Sequence, residues 1–430
     1  MAQKAEIIAA VDFGSRAVRV VIARHAPNGH TRVIGYGAEP SRGCVRFGAV
    51  QDLNAAMQTF HAALTAAKKM AGVRVYALYC GINGSVIKSG VFTGKTQIEN
   101  HIVKPEHIEA ARENASHTSM EVDCAPVSSV MAEEWTVDDV RVTTPVGMRG
   151  SILEGKMHFA QLPKFIENNL CACIEAQNVH IEEFVFMPLA AAAGCLTCED
   201  AQLGAAVIDL GATSTGIAVY LNGGITAAMS LNLGCGFIVN DLAAGLKVSF
   251  DEATELLLEY GISDHSLKTL SKNGANGSPQ GSLLSSRNVP IKLQRTGIGA
   301  PATVSREELD TIIFARGVEV VTKTCDYLKR GKFMDRLSRG IVLAGGGAAI
   351  NNMSALMEAK SDQTVRIGVP DGFQELPDFL DLPEWTPVMG IIKYAVAHRQ
   401  AIQSGHMLAR YGNGNSLWAL INRFRAKYFV

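Results

Sequence analysis

The sequence predicts an α/β protein built from two similar lobes, and three observations carry that reading. Residues 8–23, IAAVDFGSRAVRVVIA, run as an apolar strand, Asp-x-Gly, a loop of small residues and a second apolar strand. Residues 207–220, VIDLGATSTGIAVY, repeat that design. Residues 340–350, GIVLAGGGAAI, read as a buried strand, three glycines and the start of a helix. Each hairpin then meets a turn signal, Pro27-Asn28-Gly29 or Asn222-Gly223-Gly224, followed by a third strand, TRVIGYG or ITAAMSL. One such hairpin is commonplace in β-structure, and an isolated Gly-Gly-Gly is an ordinary tight turn. Their combination implies a duplicated domain whose halves share a cleft.

Loops of small residues let backbone N–H groups approach phosphate, and glycines after a strand leave room for a flat ring near a helix N-terminus. The first loop holds Asp12, Gly14, Ser15 and Arg16, and the second Asp209, Gly211, Ser214 and Thr215. Gly345, Gly346 and Gly347 complete the set. Asp12 and Asp209 are placed to hold Mg²⁺ through water.

Composition narrows the function classes. A chain of 430 residues buries a large core and divides into domains. Lys plus Arg, 40, nearly balances Asp plus Glu, 41, so no overall field draws the protein to nucleic acid. The nine scattered cysteines read as reduced cytosolic thiols. Cys171, Cys173, Cys195 and Cys198 have zinc-like spacing, but PLAAAAGCLTC reads as a buried Ala-rich helix. The early IIAAV is too short for a signal peptide and runs straight into Asp12.

Further along, KPEHIEAARENASHTSM predicts a Pro-started amphipathic helix, and FDEATELLLEYG another helix. SKNGANGSPQGSLLSSR has no apolar periodicity and reads as a surface loop. The chain ends in NSLWALINRFRAKYFV after the Gly/Asn-rich YGNGN. On a helical wheel Leu417, Leu420, Ile421 and Phe424 share a face with Trp418 on its flank, while Arg425 sits at the apolar edge and must snorkel. A helix closing on its own core is one reading of this pattern. The linker and the basic, aromatic content favour a helix lying on a membrane surface.

Several stretches together resemble the FtsA family of the actin-like ATPase superfamily, in order and over nearly the whole chain. VIGYGAEPSRGCVRFGAVQDL is similar to the segment after the family's first phosphate hairpin, and PVGMRG (145–150) to its Asn-Pro-Val-Gly-Met-x-Gly, with Thr144 for Asn. NDLAAGL (240–246) resembles Thr-x-Asp-Ile-Ala-x-Gly-Leu; IIFARGVEV (312–320) resembles Ile-Ile-Glu-Ala-Arg-x-x-Glu; GIVLAGGGA is nearly unchanged. The resemblance implies an actin-like, duplicated ribonuclease-H-like two-lobed fold with an inserted small α+β domain. It places the first lobe at 1–83 and 161–205, the insertion at 84–160, the second lobe at 206–236 and 335–398 and its subdomain at 237–334. A linker would follow at 399–414 and a membrane-targeting helix at 415–430.

By the same resemblance the protein binds ATP and Mg²⁺, with Asp12, Gly14 and Ser15 matching the family's first phosphate loop beside Arg16, and Asp209, Gly211, Ser214 and Thr215 matching its second; it polymerises with itself and tethers FtsZ filaments to the inner face of the cytoplasmic membrane at the division site. The FtsZ C-terminal tail would dock on a helix from about Ser305 to Lys329, where Arg316 and Glu319 share a face. Other division proteins would meet the inserted domain. Departures from the family bear on chemistry. Its usual Lys in the first loop is Ala17, two glycines of the second loop are Ala212 and Thr213, and its Glu and Lys near ribose and adenine are Thr254 and Leu257. Where actin-fold ATPases often carry a water-orienting Glu, Met187 stands, so no catalytic residue is assigned and the nucleotide reads as a structural switch with slow or absent turnover. The alternatives are a PilM-like adaptor of pilus machinery and, less well supported by motif context, an actin-fold small-molecule kinase.

Overall fold

The computed structural model describes residues 5–117, 123–272, 290–293 and 303–403. The chain opens with an antiparallel meander of β1 (Glu6–Phe13), β2 (Ala17–His25) and β3 (Thr31–Pro40). Runs of Val and Ile suit a pleated surface buried on both faces, and Val11, Val18, Val20 and Ile22 are fully buried. A short hairpin of β4 (Val45–Arg46) and β5 (Ala49–Val50) leads into α1 (Leu53–Ala71). Asp52 caps that helix by accepting the Ala55 N–H, and Gly72 ends it in the left-handed conformation. β6 (Ala77–Ile82) then pairs in parallel with β1.

Here the chain leaves the sheet. β7 (Lys88–Gln97), α2 (Pro105–His117), β8 (Cys124–Val137), β9 (Val140–Val142) and β10 (Ile152–Pro163) form a separate antiparallel sheet in the order β7-β10-β8-β9, with α2 against it. Ile108, Ala111, Trp135, Leu153, Met157 and Phe159 give this insertion its own core. α3 (Lys164–Glu175) and β11 (His180–Phe186) return to the first sheet, whose order is β11-β6-β1-β2-β3. α4 (Met187–Cys195) and α5 (Cys198–Leu203) follow.

The second lobe repeats the scheme. β12 (Ala205–Leu210), β13 (Thr215–Leu221) and β14 (Gly224–Leu231) form its meander. α6 (Gly236–Leu246), α7 (Phe250–Tyr260), α8 (Asp264–Lys272), the paired β15 (Pro290–Lys292) and β16 (Thr303–Ser305), and the long α9 (Arg306–Arg330) build its subdomain. β17 (Ile341–Ala344), α10 (Met353–Ser361), β18 (Val365–Ile367) and α11 (Thr386–Gln403) close the described chain. The second sheet runs β14-β13-β12-β17-β18, the first sheet's order with β12 in place of β1 and β17 in place of β6. The duplication read from two hairpins therefore extends to strand pairing.

The closing helices cross over. α11 follows the second sheet, yet Val388, Met389, Ile391 and Ile392 are buried with Ile8, Ala10, Val21 and Tyr79 of the first. α4 follows the first sheet, yet Leu189, Ala191 and Ala192 share a core with Val207, Ala218, Val342 and Ala344 of the second. The linear boundary at 398 thus misplaces α11, because a helix leaving the last strand of one lobe finds its apolar partner on the other. Residues 399–403, expected in a linker, continue α11, and Arg399 pairs with Glu182 at 2.6 Å. The terminal segment with Leu417, Trp418, Leu420, Ile421, Phe424 and Arg425 lies outside the described residues, as does the Gly/Ser-rich loop from 273 onward. Among the described residues no helix is long and apolar enough to cross a membrane.

α4 and α11 touch through small residues. A Cβ on Gly390 would stand 1.7 Å from the Ala190 carbonyl oxygen, and one on Gly194 would stand 2.4 Å from that of Thr386. Backbones this close leave no room for a methyl group. Gly390→Ala should therefore cost about 1–3 kcal/mol or more by forcing the helices apart. The urea midpoint measures it, and an unchanged midpoint would mean the crossing has slack.

Candidate functional site

Asp12 lies near the end of β1, opposite Arg19 of β2 and beside Gly81 of β6. Asp209 lies near the end of β12, beside Ala344 of β17. The two sheets bring these strand ends together at the junction of the lobes. Burial pushes the Asp12 carboxyl up to about 6, against the pull of the Arg19 guanidinium. Asp209 is pushed up to about 7, first by burial and then by the charge of Asp12, with Arg19 again opposing. Two carboxylates that resist ionising side by side form a site a divalent cation relieves, through bridging waters or directly.

The glycines fit a ring. A Cβ on Gly345 would fall 2.3 Å from Asp209 Oδ1, and its φ of +78° favours glycine as well. A Cβ on Gly347 would meet Cys235 Sγ at 2.5 Å, whereas one on Gly346 would meet nothing within 4 Å. Gly346 thus faces open space beside the Asp209 strand. Asp12 and Asp209 with this bare backbone are compatible with Mg²⁺ and a nucleotide, which would supply phosphate charge for them to organise.

Other expected residues fall differently. Ser15 and Ser214 stand at the meeting of the lobes, where Ser214 Oγ accepts from the Asn83 side-chain amide at 3.3 Å. Thr215 is fully buried and its hydroxyl donates to the Leu233 carbonyl at 2.7 Å, so it braces the loop instead of lining the cleft. Arg16 is exposed and reaches across to Thr254 of α7 at 3.4 Å. Leu257 is buried in the helical core of the second lobe and offers the cleft nothing. Met187 is buried, its sulfur 2.3 Å from where a Cβ on Gly81 would be, in the core shared with α11. A thioether placed there neither orients nor deprotonates water.

On α9, Arg316 joins Glu319 as its i,i+3 neighbour and also reaches Asp241 of α6 at 2.7 Å. The pair expected to flank a peptide is thus a three-residue bridge between helices. Asp241 is the member that helical spacing within IIFARGVEV cannot reveal.

Arg19 is a site residue that the Asp-x-Gly pattern does not name, although the sequence carries its signal. A lone cation within the apolar run AVRVVIA has to find an anion once buried. It pairs with Glu384 at 3.2 Å and lies 5.5 Å from the Trp385 ring centre. Phe47 lies within the family-like VIGYGAEPSRGCVRFGAVQDL but with no role assigned to it there, and Asn83 lies in none of the quoted stretches; both reach the second loop.

The model of the cell division protein FtsA matches residues 206–390, and that of the SHS2 domain inserted in FTSA matches residues 84–160. The chain belongs to the FtsA family. Curated relatives named cell division protein FtsA span nearly all of it. That of Pseudomonas aeruginosa is 26% identical over 92% of this chain and 90% of its own. That of Neisseria meningitidis is 26% identical over 97% of each, and that of Escherichia coli K12 is 24% identical over 90% of each. Among solved structures, a PilM-PilN type IV pilus biogenesis complex superposes with TM-score 0.60 at 13% identity, covering 93% of this chain and 98% of that one. MreB5 of Spiroplasma citri bound to ADP superposes with TM-score 0.52 at 12% identity, over 93% of this chain and 98% of that one. Such identities establish the actin-type fold. Family membership assigns an actin-like division protein with an SHS2 insertion.

The raised carboxyls make a pH prediction. Both hold protons to higher pH in the folded than in the unfolded chain, where the ordinary value is near 3.8. Their contribution to stability is full below about pH 4 and is lost as pH rises through about 6 and 7. Asp209→Asn should flatten that part of the thermal-stability profile and stabilise the protein above neutrality by on the order of a few kcal/mol. Mg²⁺ should stabilise the parent more than the variant. Parallel melting profiles for the two would show that the pair is not coupled.

Proposed function

We propose that this FtsA-family protein binds Mg²⁺–ATP between its lobes, polymerises, and links FtsZ filaments to the inner face of the cytoplasmic membrane at the division site. The observation that carries the reading is the coupled pair Asp12 and Asp209, one from each lobe, beside the open backbone at Gly346. A cation and nucleotide held there join the two lobes, so the bound state differs from the free state in lobe geometry and hence in the surfaces offered to a second copy. The absence of a water-orienting group at Met187 favours a nucleotide that is held over one that is rapidly turned over. ADP in the MreB5 neighbour lends support to nucleotide as the ligand. A pilus-type adaptor shares the fold, but the family matches favour division.

The terminal segment supplies the membrane contact in this proposal. Leu417, Trp418, Leu420, Ile421 and Phe424 would each contribute roughly 1.5–3 kcal/mol if fully buried, less the cost of ordering the helix. Nearby basic side chains, Arg425 among them, add about 1 kcal/mol apiece at an anionic leaflet. One such helix is a reversible anchor, and a filament carrying many stays bound by avidity. The FtsZ tail docks on α9 beside Arg316 and Glu319.

On anionic lipid monolayers the full chain should form filaments with Mg²⁺–ATP and not without it, as seen by electron microscopy. Trp418→Glu with Phe424→Glu should abolish lipid binding and leave the fold intact. Undiminished co-sedimentation with vesicles would sink the membrane role. For the partner site, Arg316→Gln is cleaner than a Glu replacement, which would set three carboxylates together. It should weaken a labelled FtsZ-tail peptide several-fold in fluorescence polarisation, and unchanged affinity would move the docking site elsewhere.

A further inference from the structure

The loop between β12 and β13 is gripped by three groups of the opposite lobe. Thr213 Oγ1 lies 2.6 Å from Ser15 Oγ in the loop between β1 and β2. The same Thr213 oxygen accepts the backbone N–H of Phe47 at 2.9 Å. One residue on, Ser214 accepts from Asn83.

Phe47 reaches the cleft because β4 and β5 are joined by a two-residue turn, Phe47-Gly48, with φ of 54° and 76°. Such turns call for left-handed backbone at both positions, which glycine adopts freely and a bulky aromatic residue does not. Three contacts hold Phe47 there. Gly48 is packed so tightly on the first lobe that a Cβ would stand 1.9 Å from the Asn83 carbonyl oxygen. The Phe47 ring meets that of Phe237 in α6 at 6.2 Å between centres, and the Phe47 N–H is fixed by Thr213. The hairpin tip is a strained finger laid from one lobe onto the other, and Thr213 is its catch.

The chemistry of the catch is specific. Ser15 carries a hydroxyl whose hydrogen rotates to suit its partner, and Phe47 carries a fixed donor. Both converge on one oxygen. A phosphoryl oxygen asks for the same arrangement, since it accepts only and is best met by converging hydroxyl and backbone N–H donors. We propose that the Thr213 hydroxyl is an internal stand-in for a phosphoryl oxygen. It holds Ser15 and Phe47 closed across the cleft, and a nucleoside polyphosphate engages those donors only by displacing it. The ligand half of this inference rests on the nucleotide reading above, while the clasp itself does not. The exchange releases the strained Phe47 tip from Thr213 and passes its N–H to the ligand, so arrival of the ligand is conveyed through the Phe47–Phe237 contact to α6. Arg316 binds Asp241 on that helix, which extends the route to α9.

Two variants of the full chain test it. Thr213→Val keeps the shape and removes the hydroxyl; Thr213→Ser keeps the hydroxyl. Without nucleotide, amide hydrogen exchange at Phe47 should be about tenfold faster in the Val variant and parent-like in the Ser variant, as expected for loss of one hydrogen bond. With Mg²⁺–ATP, calorimetry should find the Val variant binding about tenfold tighter and the Ser variant unchanged. Parent-like exchange in the Val variant overturns the clasp whatever the nucleotide does. Faster exchange with equal or weaker ATP binding overturns the stand-in and leaves nucleotide binding standing. No ATP binding at millimolar concentration by parent and Val variant alike overturns the nucleotide reading and the ligand half together, with the exchange result still judging the clasp. Should Val crowd the loop and lower the melting temperature, Thr213→Ala removes the same oxygen with less bulk and is held to the same outcomes.

Discussion

The crossing of α4 over α11 is the constraint on which the rest of the molecule depends. Each helix leaves the last strand of one sheet and buries its apolar side on the other sheet, so neither lobe is complete without a helix contributed by its counterpart. Their closest approach sets Gly390 and Gly194 against neighbouring backbone that leaves no room for a side chain at either position. Packing at this distance is stiff, because interiors this dense have little free volume to absorb a shift. Relative movement of the lobes must therefore be small at the crossing and grow with distance from it.

That geometry explains why charge can be concentrated at the lobe junction. Asp12 and Asp209 stand at equivalent points of two sheets related by duplication, so the same strand-end chemistry arrives twice in one place. The fold accepts their mutual repulsion because Arg19, anchored by Glu384 and Trp385, partly offsets it. Buried like charges are costly unless something binds them, and a site that is costly when empty of cations gains most from a cation. In the proposed function, stability and cation affinity are therefore linked through these two carboxylates.

Toward the second lobe's subdomain, the ties between lobes among the described residues are mainly single hydrogen bonds, with the Phe47–Phe237 ring contact beside them. Ser15, Phe47 and Asn83 hold the second loop, and Arg16 touches Thr254. Single hydrogen bonds of this kind contribute about 1 kcal/mol each, small beside the apolar crossing at the other end. A ligand of ordinary affinity can exchange with them, whereas it cannot unpack α4 from α11. The molecule thus has a fixed end and an adjustable end, on which the proposed passage of cleft occupancy to surfaces on α6 and α9 rests.

The amino-acid sequence by itself determined the duplicated α/β plan and the two Asp-x-Gly loops. These are local patterns: strand period, turn residues and helix caps are set by neighbours within a few positions. The resemblance carried by PVGMRG, IIFARGVEV and GIVLAGGGA placed the family. Only the tertiary structure decided that α11 belongs to the first sheet, since an apolar helix face does not name the surface it will cover. It also decided that Thr215 turns inward, that Arg316 is committed to Asp241 as well as Glu319, and that Phe47 reaches Thr213. Each of these is a contact between residues distant in the chain, specified by where two sheets and their crossed helices bring the backbone, and no short stretch of sequence encodes such a distance.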